Sequence, residues 1–301
     1  MTSSPRTVAI VVTYKPDHAS LATALRALCP QIDGLVLVDN GSGADSMVAL
    51  DHLVSDWTEN LPKQTLFQPE NRGLGQAQNA GVNLARRLGA EAVLLMDQDS
   101  LPAPDMVARQ HAALADRQAQ GAKPAAIGVQ YHEPDRPTPD PLPAGADPVP
   151  RVDSLIASGS LIPLDVLDTV GPFDEGLFVD FVDLEWCWRA RAAGFTCFAA
   201  RNAHMQHHIG GKPLRVLGRN MAVHDPVRGY YQMRNSLLLL RSADVPKGWA
   251  LRQSLRFFLR GLALGLLAPP RRARLGLMAR GLWHGWLGQS GKLPILASPT
   301  E

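Results

Sequence analysis

Val93-Leu94-Leu95-Met96-Asp97-Gln98-Asp99-Ser100 decides how the chain is read. Four apolar residues in succession have the length and composition of a strand buried on both faces. The run ends on two carboxylates separated by one residue. In an open α/β sheet, ligands gather at the carboxyl ends of the strands. Side chains alternate along an extended chain, so Asp97 and Asp99 share a face if the extension continues through them. Two hard oxygen donors on one face suit Mg2+ or Mn2+, ions that also grip phosphates. Taken alone, the octet allows a second reading: Asp97 starts a turn, and Asp99 or Ser100 caps a helix beginning near Pro102.

Upstream, Val8-Ala9-Ile10-Val11-Val12 is a second apolar run and ends at Thr13-Tyr14-Lys15-Pro16. Leu21, Leu25 and Leu28 then recur at helical spacing, and Pro30 closes that helix. Leu35-Val36-Leu37-Val38 is a third run, ending at Asp39-Asn40-Gly41-Ser42. Strand, helix and strand at this length form a βαβ unit with parallel pairing. Met47 to Trp57 predicts a helix and Gln64 to Phe67 a short strand. Asn71-Arg72-Gly73-Leu74-Gly75-Gln76-Ala77-Gln78-Asn79-Ala80-Gly81 opens a helix that continues through Arg87. The result is an open α/β sheet whose strand ends carry polar residues.

Downstream, Glu133 to Pro150 holds seven prolines in 18 residues, a density that forbids helix and central strand and predicts a long surface loop. A strand follows within Val152 to Pro163, then a turn at Gly171-Pro172-Phe173-Asp174, a helix over Asp180–Ala193 and a strand at Thr196–Ala200. Asp180, Asp183 and Glu185 stand beside Phe178, Phe181, Trp186 and Trp188. Helix capping and the macrodipole favour one or two acids there. A third, set against apolar walls, has its pKa pushed up and suits a general base. His204, His207 and His208 cluster after the strand, and His208, followed by Ile209-Gly210, is the preferred metal ligand.

The whole chain has 301 residues, 46% hydrophobic and 19% charged, with net charge +2. That composition belongs to a globular protein. The charge is uneven. Residues 1–244 carry 21 Lys/Arg against 27 Asp/Glu, whereas residues 245–300 carry nine Lys/Arg and no acid. Cys29, Cys187 and Cys197 are odd in number and have no ligand spacing, which suggests a reducing compartment. Met1–Arg6 leads straight into a strand, so no signal peptide is expected. No run reaches the roughly 18 apolar residues of a membrane span. A cytoplasmic location is expected.

In this order the motifs resemble the family-2 glycosyltransferases of the GT-A fold, and among them the rhamnosyltransferases of bacterial polysaccharide assembly. The likeness runs through Val-Val-Thr-Tyr at 11–14, Val-Asp-Asn-Gly-Ser at 38–42, residues 71–81 and Asp-Gln-Asp at 97–99. It continues with Gly-Pro-Phe-Asp-Glu at 171–175, the segment 178–186, His-Ile-Gly at 208–210 and Arg-Gly-Tyr-Tyr-Gln-Met-Arg-Asn at 228–235. The resemblance implies a Rossmann-like mixed sheet flanked by helices. The GT-A catalytic domain would span residues 1–244, with a donor half to about residue 100 and an acceptor half from 101, followed by a helical tail over 245–301.

It also implies roles. Thr13 and Tyr14 would lie against the nucleotide, and Asp39 would bond the pyrimidine edge. Asn71, Gly73 and Asn79 would line the donor pocket, with Asp97 at the ribose or the metal. Asp99 and His208 would bind a divalent Mg2+ or Mn2+ ion on the donor diphosphate. Asp183 matches the catalytic base, although many relatives have Glu-Asp where this chain has Val182-Asp183. Asp180, Glu185, Trp186 and Arg234 would contact the acceptor or support the site. The implied reaction is an inverting transfer of L-rhamnose from dTDP-L-rhamnose, or of another sugar from a UDP or dTDP donor. The acceptor would be a glycan or lipid-linked glycan. A nucleotidyltransferase would instead carry a glycine-rich, basic loop after its first strand, which Thr13-Tyr14-Lys15-Pro16 is not. A non-catalytic sugar-nucleotide-binding protein is the remaining alternative.

In the tail, Leu251, Leu255, Phe258, Leu259 and Leu262 follow helical spacing, with Arg252, Arg256 and Arg260 four residues apart. The pattern resumes after Pro269-Pro270 with Arg271, Arg272, Arg274, Trp283 and Trp286. Cationic, tryptophan-bearing amphipathic helices suit an anionic membrane surface on the inner face of the cytoplasmic membrane. No nucleic-acid module is evident. The competing reading is that the apolar face packs on the catalytic domain, or on a second subunit in a homodimer.

Overall fold

A computed structural model of the chain describes residues 4–57, 61–133, 143, 145–207, 212–216 and 219–294. The predicted βαβ start is present as β1 (Thr7–Thr13), α1 (His18–Leu28) and β2 (Gly34–Asp39). There follow α2 (Ala44–Trp57), β3 (Lys63–Phe67), α3 (Leu74–Arg87) and β4 (Ala92–Asp97). Next come β5 (Ser100–Pro102), α4 (Met106–Ala119), β6 (Pro124–His132), β7 (Arg151–Val152), β8 (Ser160–Pro163) and α5 (Leu164–Val170). The chain continues with α6 (Val182–Ala192), β9 (Thr196–His207), and a hairpin of β10 (Lys212–Val216) and β11 (Arg219–Val223). Three helices end the chain: α7 (Pro226–Arg241), α8 (Lys247–Leu267) and α9 (Arg271–Leu287).

The main sheet has the order β3-β2-β1-β4-β8-β6-β9-β5, with β7 also on β9. The apolar runs explain why β1, β2 and β4 lie in its interior. Their residues alternate between two cores: Val8, Ile10, Val36, Val38, Val93 and Leu95 face one side, and Ala9, Val11, Leu35, Leu37, Leu94 and Met96 face the other. Each fully buried aliphatic side chain of this kind stabilises the fold by about 1.5–3 kcal/mol. The chain leaves β1 on one side through β2 and β3, then returns to its other side with β4. All these pairings are parallel, and Thr13 pairs with Asp39 while Val12 pairs with Asp97. That reversal creates a crevice at the strand ends, where an α/β sheet takes its ligands.

Two local expectations fail. Ser100 caps no helix: Ser100–Pro102 is a strand antiparallel to β9, and the next helix starts at Met106. The chain does turn at Gln98-Asp99 directly after Asp97, so the extension does not continue through Asp99, but the turn leads into sheet pairing and not to a helix cap. The helix expected from Asp180 starts at Val182, because Phe178, Asp180 and Phe181 all have positive φ (65°, 59° and 71°). Backbone of that hand cannot continue into a right-handed helix.

The basic tail packs on α6 and α7. Trp249 and Phe257 of α8 meet Phe181, with ring centroids 6.4 and 5.3 Å away, and Trp249 also meets Trp188 at 5.6 Å. On α9, a Cβ at Gly281 would stand 2.4 Å from the Tyr230 carbonyl oxygen. Only a glycine lets α9 approach α7 so closely. The opposite face of α8 is bare, with Leu251, Leu255, Leu259 and Leu266 each more than half exposed.

Candidate active site

At the crevice, Thr13 is fully buried and its hydroxyl donates to Asp39 Oδ1 at 2.9 Å. Asp39 also accepts from the Ser42 amide at 2.9 Å and from the Ser42 hydroxyl. It is therefore a fixed carboxylate at the end of β2, 2% exposed. Tyr14 lies open at the rim. Its backbone is clamped by the Gln98 side chain, which accepts from the Tyr14 amide at 2.8 Å and donates to its carbonyl at 3.3 Å. The residue between the two aspartates thus joins the end of β4 to the end of β1.

Asn71 and Gly73 shape the turn before α3. Asn71 Oδ1 accepts from the Gly73 amide at 3.0 Å, and the Gly73 carbonyl accepts from Asn40 at 3.2 Å. Gly73 has φ +95°, and a Cβ there would fall 2.7 Å from the Phe178 carbonyl oxygen. The turn is thereby pressed against the loop that precedes α6. Asn79 has a different neighbourhood from the one expected. Its amide donates to the Phe173 carbonyl and to Glu175, both at 2.9 Å, and its oxygen accepts from the Phe173 amide. Both polar atoms are used in fastening the Gly171–Glu175 turn to α3.

Asp97, Asp99 and His207 offer ligand atoms that all lie within 4.8 Å of one another. His208, the ligand expected from the sequence, lies outside the described residues. His207 reaches the group because β9 runs through it and pairs it with Ser100. Its Nδ1 is 2.8 Å from the Ser100 hydroxyl, which accepts from the Ser158 hydroxyl at 2.8 Å. Ser158 in turn accepts from the Asp97 amide at 3.1 Å. This chain of contacts orients the imidazole against the Asp97 end of β4.

The electrostatics call for a cation. Burial, reinforced by the charges of Asp99 and Asp183 and opposed by Arg228, pushes Asp97 up to about 7. A divalent ion held by two carboxylates and an imidazole would relieve that repulsion, so the residues present fit Mg2+ or Mn2+.

Asp183 sits in the first turn of α6. Its Oδ2 accepts from the Ala157 amide at 3.0 Å and its Oδ1 from the Leu184 amide at 2.8 Å. Burial raises its carboxyl above the usual range, against those two amides, and Asp180 adds to the rise. The strained loop beneath it is held from α7. Asn235 Nδ2 lies 2.9, 2.7 and 3.0 Å from the carbonyl oxygens of Leu177, Val179 and Asp180. Arg234, 1% exposed, donates to the carbonyls of Gly176 and Leu177 and to that of Gly291. Arg234 is thus a support. Glu185 and Trp186 are supports too: Glu185 accepts from Arg189 at 2.7 Å, and Trp186 donates to the Gly171 carbonyl at 3.0 Å.

Asp180 and Arg228 complete the site. Arg228 Nε and Nη2 grip the Asp180 carboxylate at 2.8–3.1 Å. Burial pushes Arg228 down, but the hydrogen bonds and charge of Asp180 outweigh it, and Asp97 and Asp183 add to them. The guanidinium is held above its ordinary value. Sequence reasoning gave no role to Arg228 or Asn235, and it placed His207 in the histidine cluster but preferred His208 as the ligand. The signal for the first two was their place in residues 228–235, after the last histidine.

Such an arrangement can hold a nucleoside diphosphate at the β1–β4 crevice and deprotonate a hydroxyl beside Asp183. Residues 8–151 match the model of Glycosyl transferase family 2. Among curated proteins, the chain is 30% identical over 247 residues to the dTDP-rhamnosyl transferase RfbF of Shigella flexneri, covering 79% of this chain and 81% of that one. The chain belongs to glycosyltransferase family 2. Among solved structures, it resembles S. aureus TarS 1–349 in complex with UDP-GlcNAc, with TM-score 0.58, 14% identity, and coverage of 94% of this chain and 81% of that one. TarS 1–349 in complex with UDP gives TM-score 0.52, again at 14% identity, covering 94% and 92%. These likenesses establish the GT-A fold of this family-2 enzyme.

Proposed function

We propose that this glycosyltransferase moves L-rhamnose from dTDP-L-rhamnose, with inversion, to a lipid-linked or growing cell-surface polysaccharide. The observation that carries the donor assignment is the 30% identity, across four-fifths of both chains, with the Shigella dTDP-rhamnosyl transferase. The geometry supports the reaction class. Thr13, Asp39, Asn71 and Gly73 surround the crevice in which the nucleotide lies, with Tyr14 at its open rim. Asp97 and Asp99, together with His207, would hold Mg2+ or Mn2+. When bound, that ion would supply positive charge to stabilise the departing nucleoside diphosphate.

Asp183 takes the proton from the acceptor hydroxyl as its oxygen attacks the anomeric carbon, on the face opposite the leaving group. Its raised pKa makes it a stronger base than an exposed carboxylate, while two backbone amides fix its direction. Arg228, gripped by Asp180, keeps positive charge next to the carboxylates and lowers the cost of their crowding. The enzyme works at the cytoplasmic face of the membrane, with the bare face of α8 toward the lipid. No described helix is long and apolar enough to cross it.

A thermal-shift panel of dTDP-, UDP- and GDP-sugars, with and without Mn2+, tests the donor. Metal-dependent stabilisation is expected, greatest with dTDP-rhamnose. Greater stabilisation by a GDP-sugar overturns the assignment.

A further inference from the structure

The molecule has a second cleft, away from the β1–β4 crevice. It lies between α7, α8 and α9 and encloses about 450 Å³, adjoining solvent included. Phe257, Leu264 and Met278 form its apolar wall, while His224, Arg260 and Arg274 bring polar groups to it. Asp225 also lines it, but its carboxylate is engaged as the α7 cap, accepting from the Val227 amide at 2.8 Å. Arg274 is steadied by a 2.9 Å bond to the His224 carbonyl. Burial, joined by the charges of Arg228, Arg260 and Arg274 and opposed by Asp180, holds the His224 imidazole below its usual value. Burial, with Arg256 and Arg228, likewise lowers Arg260. Among the described residues, Arg228, Arg260 and Arg274 gather round His224 against Asp180 and the capping Asp225, an excess of positive charge that suits an anion.

The surroundings say what kind of anion. At about 100° per residue, Leu251, Leu255, Phe258, Leu259, Leu262 and Leu266 form one stripe along α8, each between 38% and 62% exposed. Arg252, Arg256 and Arg260 step round the same helix from the edge of that stripe to the wall of the cleft. A leucine stripe flanked by arginines matches a bilayer whose headgroups are anionic. Residues 245–300 contain no acid that would oppose it. The cleft is also joined to the catalytic centre: Arg228, which grips Asp180, has Nη1 3.5 Å from His224 Nδ1.

We propose that the cleft between α7, α8 and α9 binds the phosphate headgroup of the lipid that carries the acceptor, through Arg260 and Arg274, while the leucine stripe of α8 lies in the bilayer. The inference rests on the lipid-linked acceptor of the proposed function. It adds the site, the ligand chemistry and the route by which an anchored acceptor reaches Asp183. A headgroup held here sets the sugar attached to it beside Arg228 and the first turn of α6.

Flotation of the full-length protein on phosphatidylcholine vesicles tests this. One set contains a polyprenyl phosphate, and the other phosphatidylglycerol at matched surface charge. The intact protein is expected to prefer the polyprenyl phosphate by about tenfold, the scale of one charge-assisted hydrogen bond. Arg260→Gln abolishes the preference but keeps the weaker binding to phosphatidylglycerol, whereas Leu255→Gln combined with Leu259→Gln loses both. Without any variant, a short water-soluble prenyl phosphate lowers binding to the polyprenyl phosphate vesicles to the phosphatidylglycerol level, and inorganic phosphate at equal concentration does not. Equal binding to both vesicle types, absence of binding, failure of the soluble competitor or a preference that survives Arg260→Gln overturns the proposal. Stabilisation by dTDP-rhamnose, measured on the same samples, separates the two readings. Its presence with no lipid preference rejects the cleft alone, and its absence beside an intact preference rejects the donor alone.

Discussion

Asn235→Ala probes whether the strained loop before α6 is held in place by α7. The amide nitrogen lies within 3.0 Å of three carbonyl oxygens, those of Leu177, Val179 and Asp180. An amide group has two hydrogens, so one of these bonds is shared. Losing them and leaving buried carbonyls unpaired costs about 3 kcal/mol. Holding Phe178, Asp180 and Phe181 at positive φ costs on the order of 1–3 kcal/mol each. The stored strain therefore matches or exceeds what Asn235 contributes, and its loss lets the loop relax.

Unfolding entropy for 301 residues is about 0.6 kcal/mol/K, so Tm falls by at most about 5 °C, the relaxing loop returning part of the loss as released strain. Because Asp183 lies in the first turn of the helix this loop feeds, a shift of about 1 Å would lower kcat about 100-fold. Donor affinity should hold, since β1, β2 and β4 are untouched. Thermal melts, steady-state kinetics and dTDP binding on one preparation measure all three. A variant that loses the stability but keeps its kcat would refute the view that α7 positions the base.

Other outcomes follow from the same geometry. His207→Ala should raise the Mn2+ concentration needed for half-maximal rate by about tenfold or more, whereas His208→Ala, tested in parallel, discriminates the ligand expected from sequence. In a pH–rate profile, kcat/KM should fall on acidification at a pH above the ordinary carboxylate value of about 3.9, since Asp183 must be ionised and burial raises its pKa. Arg228→Met removes the cation that lowers Asp97, so Asp97 should titrate at still higher pH, read from its carboxyl NMR signal in the metal-free protein. Gly73→Ala must place a Cβ 2.7 Å from the Phe178 carbonyl at φ +95° and should lower Tm together with dTDP affinity.

The first hundred residues were legible because their physics is simple. Strands buried on both faces must be apolar throughout, so Val8–Val12, Leu35–Val38 and Val93–Met96 announced themselves, and the polar residues after each marked the crevice. The end of β9 and the β10–β11 hairpin carry arginine, asparagine and histidine, and no apolar alternation exposed them. That also hid which histidine of the cluster reaches the acids: the place of His207 depends on pairing with Ser100 in the short strand β5, where the Asp99-Ser100 pair resembled a helix cap. The strain at Phe178, Asp180 and Phe181 had no glycine to mark it. Asn79 resembled a donor contact, but the Gly171–Glu175 turn that consumes its amide lies more than ninety residues away in sequence. The tail was legible as amphipathic, and its two faces proved to have two fates: Trp249 and Phe257 pack on α6, and the leucine stripe stays bare.

The central claim is that Asp183 abstracts the acceptor proton at a site where the donor is held independently of it. Asp183→Asn preserves the size of the side chain and removes the base. Transfer from dTDP-rhamnose and donor binding, measured side by side on this variant and the unaltered enzyme, test the claim most directly. Turnover should fall by a factor of about 10²–10⁴ while the Kd for dTDP-rhamnose stays within about threefold, less than 1 kcal/mol. Near-normal transfer by Asp183→Asn would contradict it.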